Sequence, residues 1–192
     1  LDNCIIFDNG NFKNRNSFLE HNVYLCGGYT RIQFCRFGEP HSDGNNIKDR
    51  GVNTVIRYNW IKGSKNRQID FVDHEGYQKA DAFVYGNVII QGSRIHNRNM
   101  IHWGGDGGDS GSRAGTLYFF NNTVIGKSHN TLYFMVRFSD CRVWLQNNAF
   151  VGTGLLWNGT GGLSGTNNWF ASSISIPEGG ALGNKSANPM FN

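Results

Sequence analysis

Short segments in which apolar and polar positions alternate recur along the chain, and each runs into an asparagine followed by a second apolar pair. Four segments show the pattern clearly and two more loosely: TVIRYNWIKG (54–63), AFVYGNVIIQG (82–92), TLYFFNNTVIG (116–126), RVWLQNNAFVG (142–152), TRIQFCRFG (30–38) and LSGTNNWFA (163–171). Alternation with a period of two is typical of β-strands. No stretch of about 12 residues keeps a 3.6-residue period. We therefore expect an all-β chain with little helix.

The asparagines of these segments align in one column, which predicts a repeating structure. The members of the column are Asn59, Asn87, Asn122, Asn148 and Asn168. Cys35 takes the same position in an earlier segment, and we place Asn9 there in the first one. Counted from Cys35, the steps are 24, 28, 35, 26 and 20 residues, which suits stacked coils whose loops vary in length. An asparagine at a tight bend can hydrogen-bond the neighbouring main chain, so we expect a ladder of amides.

Taken together, these repeats resemble the right-handed parallel β-helix of the pectate-lyase-like superfamily. The resemblance covers residues 1–175, which would form about seven coils, and it implies parallel strands stacked about 4.8 Å apart. The tail, residues 176–192, ends in ANPMFN. This ending resembles the segment that often leads from the last coils of such proteins into a further C-terminal portion. We therefore expect the chain to be a fragment of a longer protein.

A second set of short strands lies between the asparagine-bearing ones and predicts an outward-facing column. We align these strands on the aliphatic residues Val23, Ile47, Ile69, Ile101, Leu132 and Leu156. Because side chains alternate across a strand, the next residue of each strand faces outward. The outward column then reads Tyr24, Lys48, Asp70, His102, Tyr133 and Trp157. Consecutive members would lie about 5 Å apart, which is close enough for strong mutual effects on pKa values.

Composition and charge narrow the class of partner. The chain of 192 residues has a formal net charge of +4 at pH 7, which favours an anionic partner such as an acidic polysaccharide. No aromatic RNA-binding signature accompanies this charge, so nucleic acid is not expected. The four cysteines form no CxxC pair, which argues against a zinc site. No run of about 18 apolar residues is present to insert into a membrane.

The outward column suits the recognition and cleavage of an acidic sugar chain. Lyases of the superfamily that the repeats resemble cut acidic polysaccharides by β-elimination, which removes the proton α to a uronate carboxylate and expels the glycosidic oxygen. We assign Lys48 as the base and Arg50, which points the same way, as the carboxylate clamp. The proton donor is His102 or Tyr133. Side chains expected to contact the sugar rings are Tyr24, Asp70, Arg137 and Trp157.

Asp70 has two candidate roles. It orients Lys48 or His102, or it holds Ca²⁺ together with Asp73. Calcium takes six to eight oxygen ligands, and Glu75 is a further donor close in sequence. The loop GGDGGDSG (104–111) follows the fourth strand and is a candidate metal or substrate loop. The motif of the calcium-dependent pectate lyases is not recognisable in this sequence.

Two other functions stay open at this point. The first is a glycoside hydrolase on the same scaffold, which would use two carboxylates among Asp70, Asp73, Asp106 and Asp109. The second is a non-catalytic surface β-helix that only binds glycans. Fold alone cannot choose among these functions. The leading hypothesis is a secreted or cell-surface bacterial enzyme that cleaves a uronate-containing polysaccharide.

Overall fold

The computed structural model describes residues 1–10, 20–73, 80–106, 113–177 and 182–186. These residues form nineteen β-strands and no helix, so the all-β prediction is confirmed over them. The strands are β1 (Ile5–Ile6), β2 (Val23–Gln33), β3 (Arg36–Phe37), β4 (Ile47–Arg57), β5 (Trp60–Lys62), β6 (Ile69–Phe71), β7 (Ala82–Tyr85), β8 (Val88–Ile90), β9 (Asn99–Trp103), β10 (Gly115–Phe120), β11 (Thr123–Ile125), β12 (Leu132–Val136), β13 (Cys141–Gln146), β14 (Ala149–Val151), β15 (Gly154–Asn158), β16 (Gly162–Thr166), β17 (Asn168–Ala171), β18 (Ile174–Ser175) and β19 (Gly183–Ser186). Within these ranges there is accordingly no helix that is long and apolar enough to cross a membrane.

The pairings between these strands are parallel, and they build two sheets. The first sheet has eight strands in the order β1-β3-β5-β8-β11-β14-β17-β19. The second has eleven strands and divides at β4, whose residues 47–49 pair with β6 and whose residues 54–57 pair with β7. One branch continues as β6-β9-β12-β15-β18 and the other as β7-β10-β13-β16, while β2 pairs with β4 along its length. Stacked parallel strands in curled sheets are consistent with a β-solenoid.

The alternation in the sequence places one side of each strand in an apolar core. In the eight-stranded sheet the inward positions stack in register, and all of them are fully buried: Phe37, Ile61, Ile89, Val124, Phe150 and Phe170. The rings of Phe150 and Phe170 stack with their centroids 5.1 Å apart. Burying one side chain of this size contributes about 1.5–3 kcal/mol relative to exposure. The core therefore runs as a column along the stack and ties each level to the next.

The predicted asparagine ladder is confirmed. The Oδ1 of Asn87 accepts hydrogen bonds from the backbone N–H and the Nδ2 of Asn59, at 2.9 Å and 3.0 Å. The same pair of bonds repeats at 2.9–3.1 Å through the remaining members, Asn122, Asn148 and Asn168. The side chains of the ladder are buried, so each unmade bond would leave a polar group without a partner. The ladder therefore fixes the register of successive levels.

The prediction that Asn9 begins this ladder is wrong. Cys35 does hold the position before Asn59, because its N–H donates to Asn59 Oδ1 at 2.8 Å. The position before Cys35 belongs to Cys4, whose N–H lies 3.4 Å from the Cys35 Sγ. The alternation in the first segment is too short to fix its register, so Asn9 and Cys4 could not be told apart by sequence.

Asn9 belongs instead to a second ladder of amides, which the sequence did not predict. Its Nδ2 donates to Asn22 Oδ1 at 3.1 Å. The Asn22 Nδ2 donates to Asn46 Oδ1 at 2.7 Å, and the Asn46 Nδ2 donates to Gln68 Oε1 at 2.8 Å. The last three members directly precede β2, β4 and β6. This second ladder therefore sets the register of the strands that carry the predicted outward column.

The bend before each position of the first ladder has a left-handed backbone. The φ angle is 67° at Gly86 and 54–56° at the other six residues, which are Asn3, Phe34, Tyr58, Asn121, Asn147 and Asn167. Asparagine and glycine adopt this conformation readily, whereas an aromatic residue rarely does. Phe34 and Tyr58 stack on each other with centroids 5.5 Å apart, which holds both bends against that preference.

We predict that Asn122→Ala lowers the free energy of unfolding by about 3 kcal/mol, measured by chemical denaturation. The substitution removes the acceptor of two bonds from Asn87 and leaves the buried carbonyl of Val84, 2.9 Å away, without its donor. The control is Asn53→Ala, at an exposed position of β4. Equal losses for the two variants would show that the ladder does not hold the stack together.

Candidate functional site

The register of the second sheet brings four predicted site residues into one file. Tyr24 in β2 pairs with Lys48 in β4, Lys48 pairs with Asp70 in β6, and Asp70 pairs with His102 in β9. These residues are far apart in sequence and adjacent in space because each lies one position after an aligned inward residue. The first four members of the outward column are therefore confirmed as neighbours.

The prediction that Tyr133 and Trp157 continue this file is wrong. In the structure Met135 pairs with His102, and Asn158 pairs with Met135. Tyr133 is fully buried against the core, where its O–H donates to the Val151 carbonyl at 2.8 Å, and burial raises the pKa of its phenol. The segment that contains it, LYFMV, is apolar throughout, so alternation could not fix its register. Tyr133 therefore has no geometric support as a proton donor.

Trp157 and Arg137 also lie away from the predicted site. Trp157 pairs with Phe134, packs against the core and donates its Nε1–H to the Gly161 carbonyl at 3.2 Å. Arg137 is exposed, and its guanidinium lies over the ring of Phe138, 5.4 Å from the centroid. The assignment of these two side chains to substrate binding therefore gains nothing from the geometry.

Asp70 is the centre of the site. Its carboxylate is fully buried and accepts hydrogen bonds from Asn45 Nδ2 at 2.7 Å, from His102 Nδ1 at 2.8 Å and from Arg67 at 3.0 Å. Lys48 Nζ lies 3.8 Å from the Oδ2 of the same carboxylate. Burial alone would raise the pKa of Asp70, but the hydrogen bond from His102 and the charge of Arg67 outweigh it and lower the pKa to about 2. Asp70 is therefore ionised near pH 7, and its neighbours hold it in place.

Asp106 lies at the outer edge of the site and contacts three cations. One oxygen of its carboxylate is 2.6 Å from Lys48 Nζ and 3.8 Å from Arg50, and the other is 3.8 Å from Arg67. Its side chain is 37% exposed, whereas that of Lys48 is 11% exposed. A carboxylate group thus sits among three positive charges at a position that solvent reaches.

Arg50 joins this group to the exposed ring of Tyr24. Its Nε–H donates to the Tyr24 oxygen at 2.5 Å, and its NH1 donates to the Asp73 carbonyl at 2.6 Å and lies 3.6 Å from the Asp73 carboxylate. Asp73 Oδ1 in turn accepts from the Asp106 N–H at 3.0 Å. Burial would raise the pKa of Asp73, but that hydrogen bond and the charge of Arg50 lower it.

The formal charges of the site cancel. We call its members the Asp70 cluster: three cations, three carboxylates and one imidazole, namely Lys48, Arg50, Arg67, Asp70, Asp73, Asp106 and His102. A balanced set of this kind satisfies its own ion pairs when no ligand is present. An anionic ligand would therefore have to replace one of the carboxylates.

The contact of His102 with Asp70 shows which ring nitrogen carries a proton. Because the Asp70 carboxylate is ionised and can only accept, the Nδ1 of His102 carries the proton in this bond. The other ring nitrogen, Nε2, is buried and has no hydrogen-bond partner among the described residues. A neutral imidazole in this tautomer has its lone pair on Nε2, so this nitrogen can accept a proton.

His21 borders the cluster and was not predicted. Its Nδ1 accepts a hydrogen bond from the Asn45 N–H at 2.8 Å, and its ring stacks on Tyr24 with centroids 5.7 Å apart. Burial, followed by the charge of Lys48, lowers its pKa to about 4. His21 is therefore neutral near pH 7 and adds an uncharged flat surface beside Tyr24.

The donors at this site do not suit the calcium ion that the sequence suggested. Asp70, His102 and Asp106 each offer a ligand atom, and these atoms lie within 4.8 Å of one another. Calcium, however, requires six to eight oxygen ligands, and this set contains an imidazole and a carboxylate already occupied by Asn45 and Arg67. Glu75, His74 and Asp109 lie outside the described residues. No role for calcium is derived from this arrangement.

The sequence analysis did not predict three residues in and beside the site, because no repeat marks them: Arg67, Asn45 and Arg113. Arg67 precedes Asp70 by three residues, and Asn45 directly precedes a member of the second ladder, so proximity in sequence was the only signal. Arg113 is buried where β4 divides, and it donates to the carbonyls of Asp49 and Val72 at 3.1 Å and 2.8 Å. Its guanidinium therefore links β4 to the residue that follows β6.

Comparison with known proteins does not decide the chemistry. No protein family, curated protein or solved structure matches the chain. The arrangement itself combines a carboxylate position surrounded by cations with an imidazole that a buried anion orients. Together these features are suited to binding a carboxylate and moving a proton beside it.

We predict that Asp70→Asn flattens the dependence of stability on pH between pH 4 and pH 2. The folded-state pKa of Asp70 lies below its unfolded value, so its stabilising effect is complete above about pH 4 and is lost as the pH falls through about 2. Removing this carboxylate should reduce the loss of unfolding free energy in that interval by about 2 kcal/mol. Chemical denaturation at a series of pH values measures it.

Asp73→Asn is the graded comparison, because that carboxylate is partly exposed and lies at the rim of the cluster. Its effect on the slope should be smaller. A slope for Asp70→Asn that equals the wild-type slope would contradict the assignment of Asp70 as a buried ionised group.

Proposed function

We propose that this chain is a secreted or cell-surface right-handed parallel β-helix of about seven coils, of the pectate-lyase-like type. We further propose that it cleaves a uronate-containing polysaccharide by β-elimination. The observation that carries the proposal is the position of the Asp106 carboxylate. It contacts three cations, is partly exposed, and has one oxygen within 4.8 Å of a ring nitrogen of His102.

Asp106 marks where a substrate carboxylate would bind. A uronate carboxylate has the same charge and shape as the Asp106 side chain, so it can take that place on Lys48 and Arg50. The exposed Tyr24, at 52% of its full surface, lies beside both cations and can stack on a sugar ring. Neutralising the carboxylate makes the proton on the adjacent carbon more acidic, which is the electrostatic part of the catalysis.

Lys48 suits a cationic role better than the role of base. Its ammonium group holds two ion pairs, with Asp106 and Asp70, and a free amine would have to leave both. We therefore transfer the role of base to His102. The Nε2 of His102 carries a lone pair, and the buried Asp70 stabilises the imidazolium that forms when this nitrogen accepts a proton. Since Nε2 is buried in this structure, this role requires that the substrate uncovers it when it replaces Asp106.

The proposed reaction balances with these groups alone. The proton on C5 of the uronate passes to His102 Nε2, and the electron pair of that C–H bond forms the C4=C5 double bond. The bond between C4 and the glycosidic oxygen breaks, and the oxygen takes up a proton. The proton that His102 Nε2 has accepted can pass to this oxygen, so Lys48 keeps its charge throughout.

The alternative of a glycoside hydrolase has less support. Asp70 and Asp106 approach each other within 4.8 Å, close to the spacing of two-carboxylate hydrolases that retain configuration. However, Asp70 is buried, is held by three hydrogen bonds and has a pKa of about 2. It can neither protonate a leaving group nor reach a sugar carbon. One observation favours a non-catalytic glycan-binding role: His102 Nε2 is buried, so no substrate reaches it in this conformation.

The test is incubation with a panel of uronic-acid polymers while the ultraviolet absorbance of new unsaturated ends is recorded. We expect one or more polymers to give this signal. His102→Asn should lower the rate by about 10²-fold or more, because proton transfer loses its acceptor. Lys48→Ala should cost on the order of 10²-fold in kcat/KM through loss of the preorganised charge. His129→Asn, at an exposed turn, is the control and should retain the wild-type rate.

Each other outcome has a defined meaning. New reducing ends without the absorbance would identify a hydrolase. Binding without cleavage of any polymer would identify a glycan-binding protein. Full activity of His102→Asn would remove the imidazole from the reaction.

A further inference from the structure

A second feature of the molecule lies on the eight-stranded sheet, away from the strands that carry the Asp70 cluster. A groove of about 380 Å³ opens between β3, β5 and the turns that follow β5 and β8. Its charged and aromatic lining consists of Arg36, Glu39, Trp60, Lys62 and Lys127. A neighbouring pocket of about 590 Å³ shares Arg36 and Glu39 with it and extends towards Asp8, His41 and Lys65. The two pockets adjoin at these shared residues, and we call them together the basic groove.

The charges of the basic groove do not cancel, in contrast to those of the Asp70 cluster. Within the described ranges, no carboxylate oxygen lies within 4.0 Å of the charged nitrogens of Arg36, Lys62 or Lys127. All three residues are exposed. Glu39 is already engaged by Lys65 at 4.0 Å. The chain carries a net charge of +4, and the Asp70 cluster is neutral. The unpaired cations of this groove therefore offer positive charge to an external anion.

Trp60 gives the groove a flat apolar surface beside these charges. It pairs with Arg36 on the neighbouring strand, and Lys62 lies two residues further along β5 on the same face. The inward neighbour Ile61 is fully buried, which fixes the outward direction of both flanking side chains. Trp60 is 43% exposed although it is among the largest side chains in the protein. An exposed indole next to unpaired cations matches a sugar ring that carries an acidic group.

We propose that the basic groove is a second binding site for acidic sugar residues, separate from the Asp70 cluster. The inference rests on the proposed function in taking the same class of polymer as its ligand. A long chain held at this site stays attached to the protein between cleavage events at the other site. A nucleic acid would meet the same charges and the same exposed rings, Trp60 and Phe7, so an oligonucleotide is included as a competing ligand in the test.

The test measures binding of a uronic-acid polymer by calorimetry, with the carboxyl-reduced neutral polymer and a single-stranded oligonucleotide as competing ligands. Lys62→Ala/Lys127→Ala and Trp60→Ala should each weaken binding by about tenfold, since an exposed ionic contact is worth up to about fivefold in affinity. The matched controls are Trp144→Ala, whose ring is 40% exposed on the other sheet, and Arg31→Ala/Arg98→Ala, at exposed positions outside the groove. The controls should bind as the wild type does.

Failure of this inference can be separated from failure of the proposed function. If elimination occurs, the groove variants should raise the KM for long polymers and leave the KM for short oligosaccharides unchanged, because a short chain cannot reach both sites. If no elimination occurs, the calorimetric measurement still shows whether the groove residues bind the uronic-acid polymer. Affinities equal to wild type in the groove variants, equal losses in the controls, or tighter binding of the neutral polymer or the oligonucleotide would overturn the proposal.

Discussion

The structure depends on side-chain amides that bond from one level of the strand stack to the next. Parallel strands can slide along each other with little change in backbone bonding, and a slip of one residue would turn every side chain to the opposite face. Two buried ladders prevent this slip. One runs through Asn59 and its equivalents, and the other runs through Asn22, Asn46 and Gln68. Because each amide both donates and accepts inside the protein, a shifted register would leave buried polar groups unpaired.

The candidate site is a consequence of the second ladder. Asn46 lies two residues before Lys48, and Gln68 lies two residues before Asp70. The hydrogen bond between Asn46 and Gln68 therefore also aligns Lys48 with Asp70 in the outward column. Asp70 then brings Arg67 and His102 together and remains ionised although it is buried. A buried charge with this many partners is a rigid support for an imidazole, and rigidity is what a proton-transfer group requires.

The sequence predicted the parts of this arrangement that repeat and missed those that do not. The asparagine column and the neighbours Tyr24, Lys48, Asp70 and His102 follow from alternation and spacing, and the structure confirms them. Alternation failed at Tyr133 because the strand around it is apolar on both faces, so two registers fitted equally well. It could not reveal a partner that comes from a turn, because turns vary in length and carry no period.

The unequal distribution of charge connects the two proposed sites. The Asp70 cluster balances its own charges, whereas the basic groove around Trp60 does not. A polymer would therefore be attracted first by the groove, and its carboxylates would enter the cluster only by replacing Asp106. Under the two proposals, the eight-stranded sheet supplies affinity and the eleven-stranded sheet supplies the chemistry.

The register of the strands brings His102 into a hydrogen bond with an ionised Asp70. Nitrogen-15 NMR of the imidazole rings at pH 7 tests it most directly, with the resonances of His102 assigned through His102→Asn. The expected result is a ring with a proton on Nδ1 that is bonded to Asp70, and a clear shift of that proton resonance in Asp70→Asn. A ring protonated on Nε2 alone, or one whose resonances do not respond to Asp70→Asn, would contradict the account.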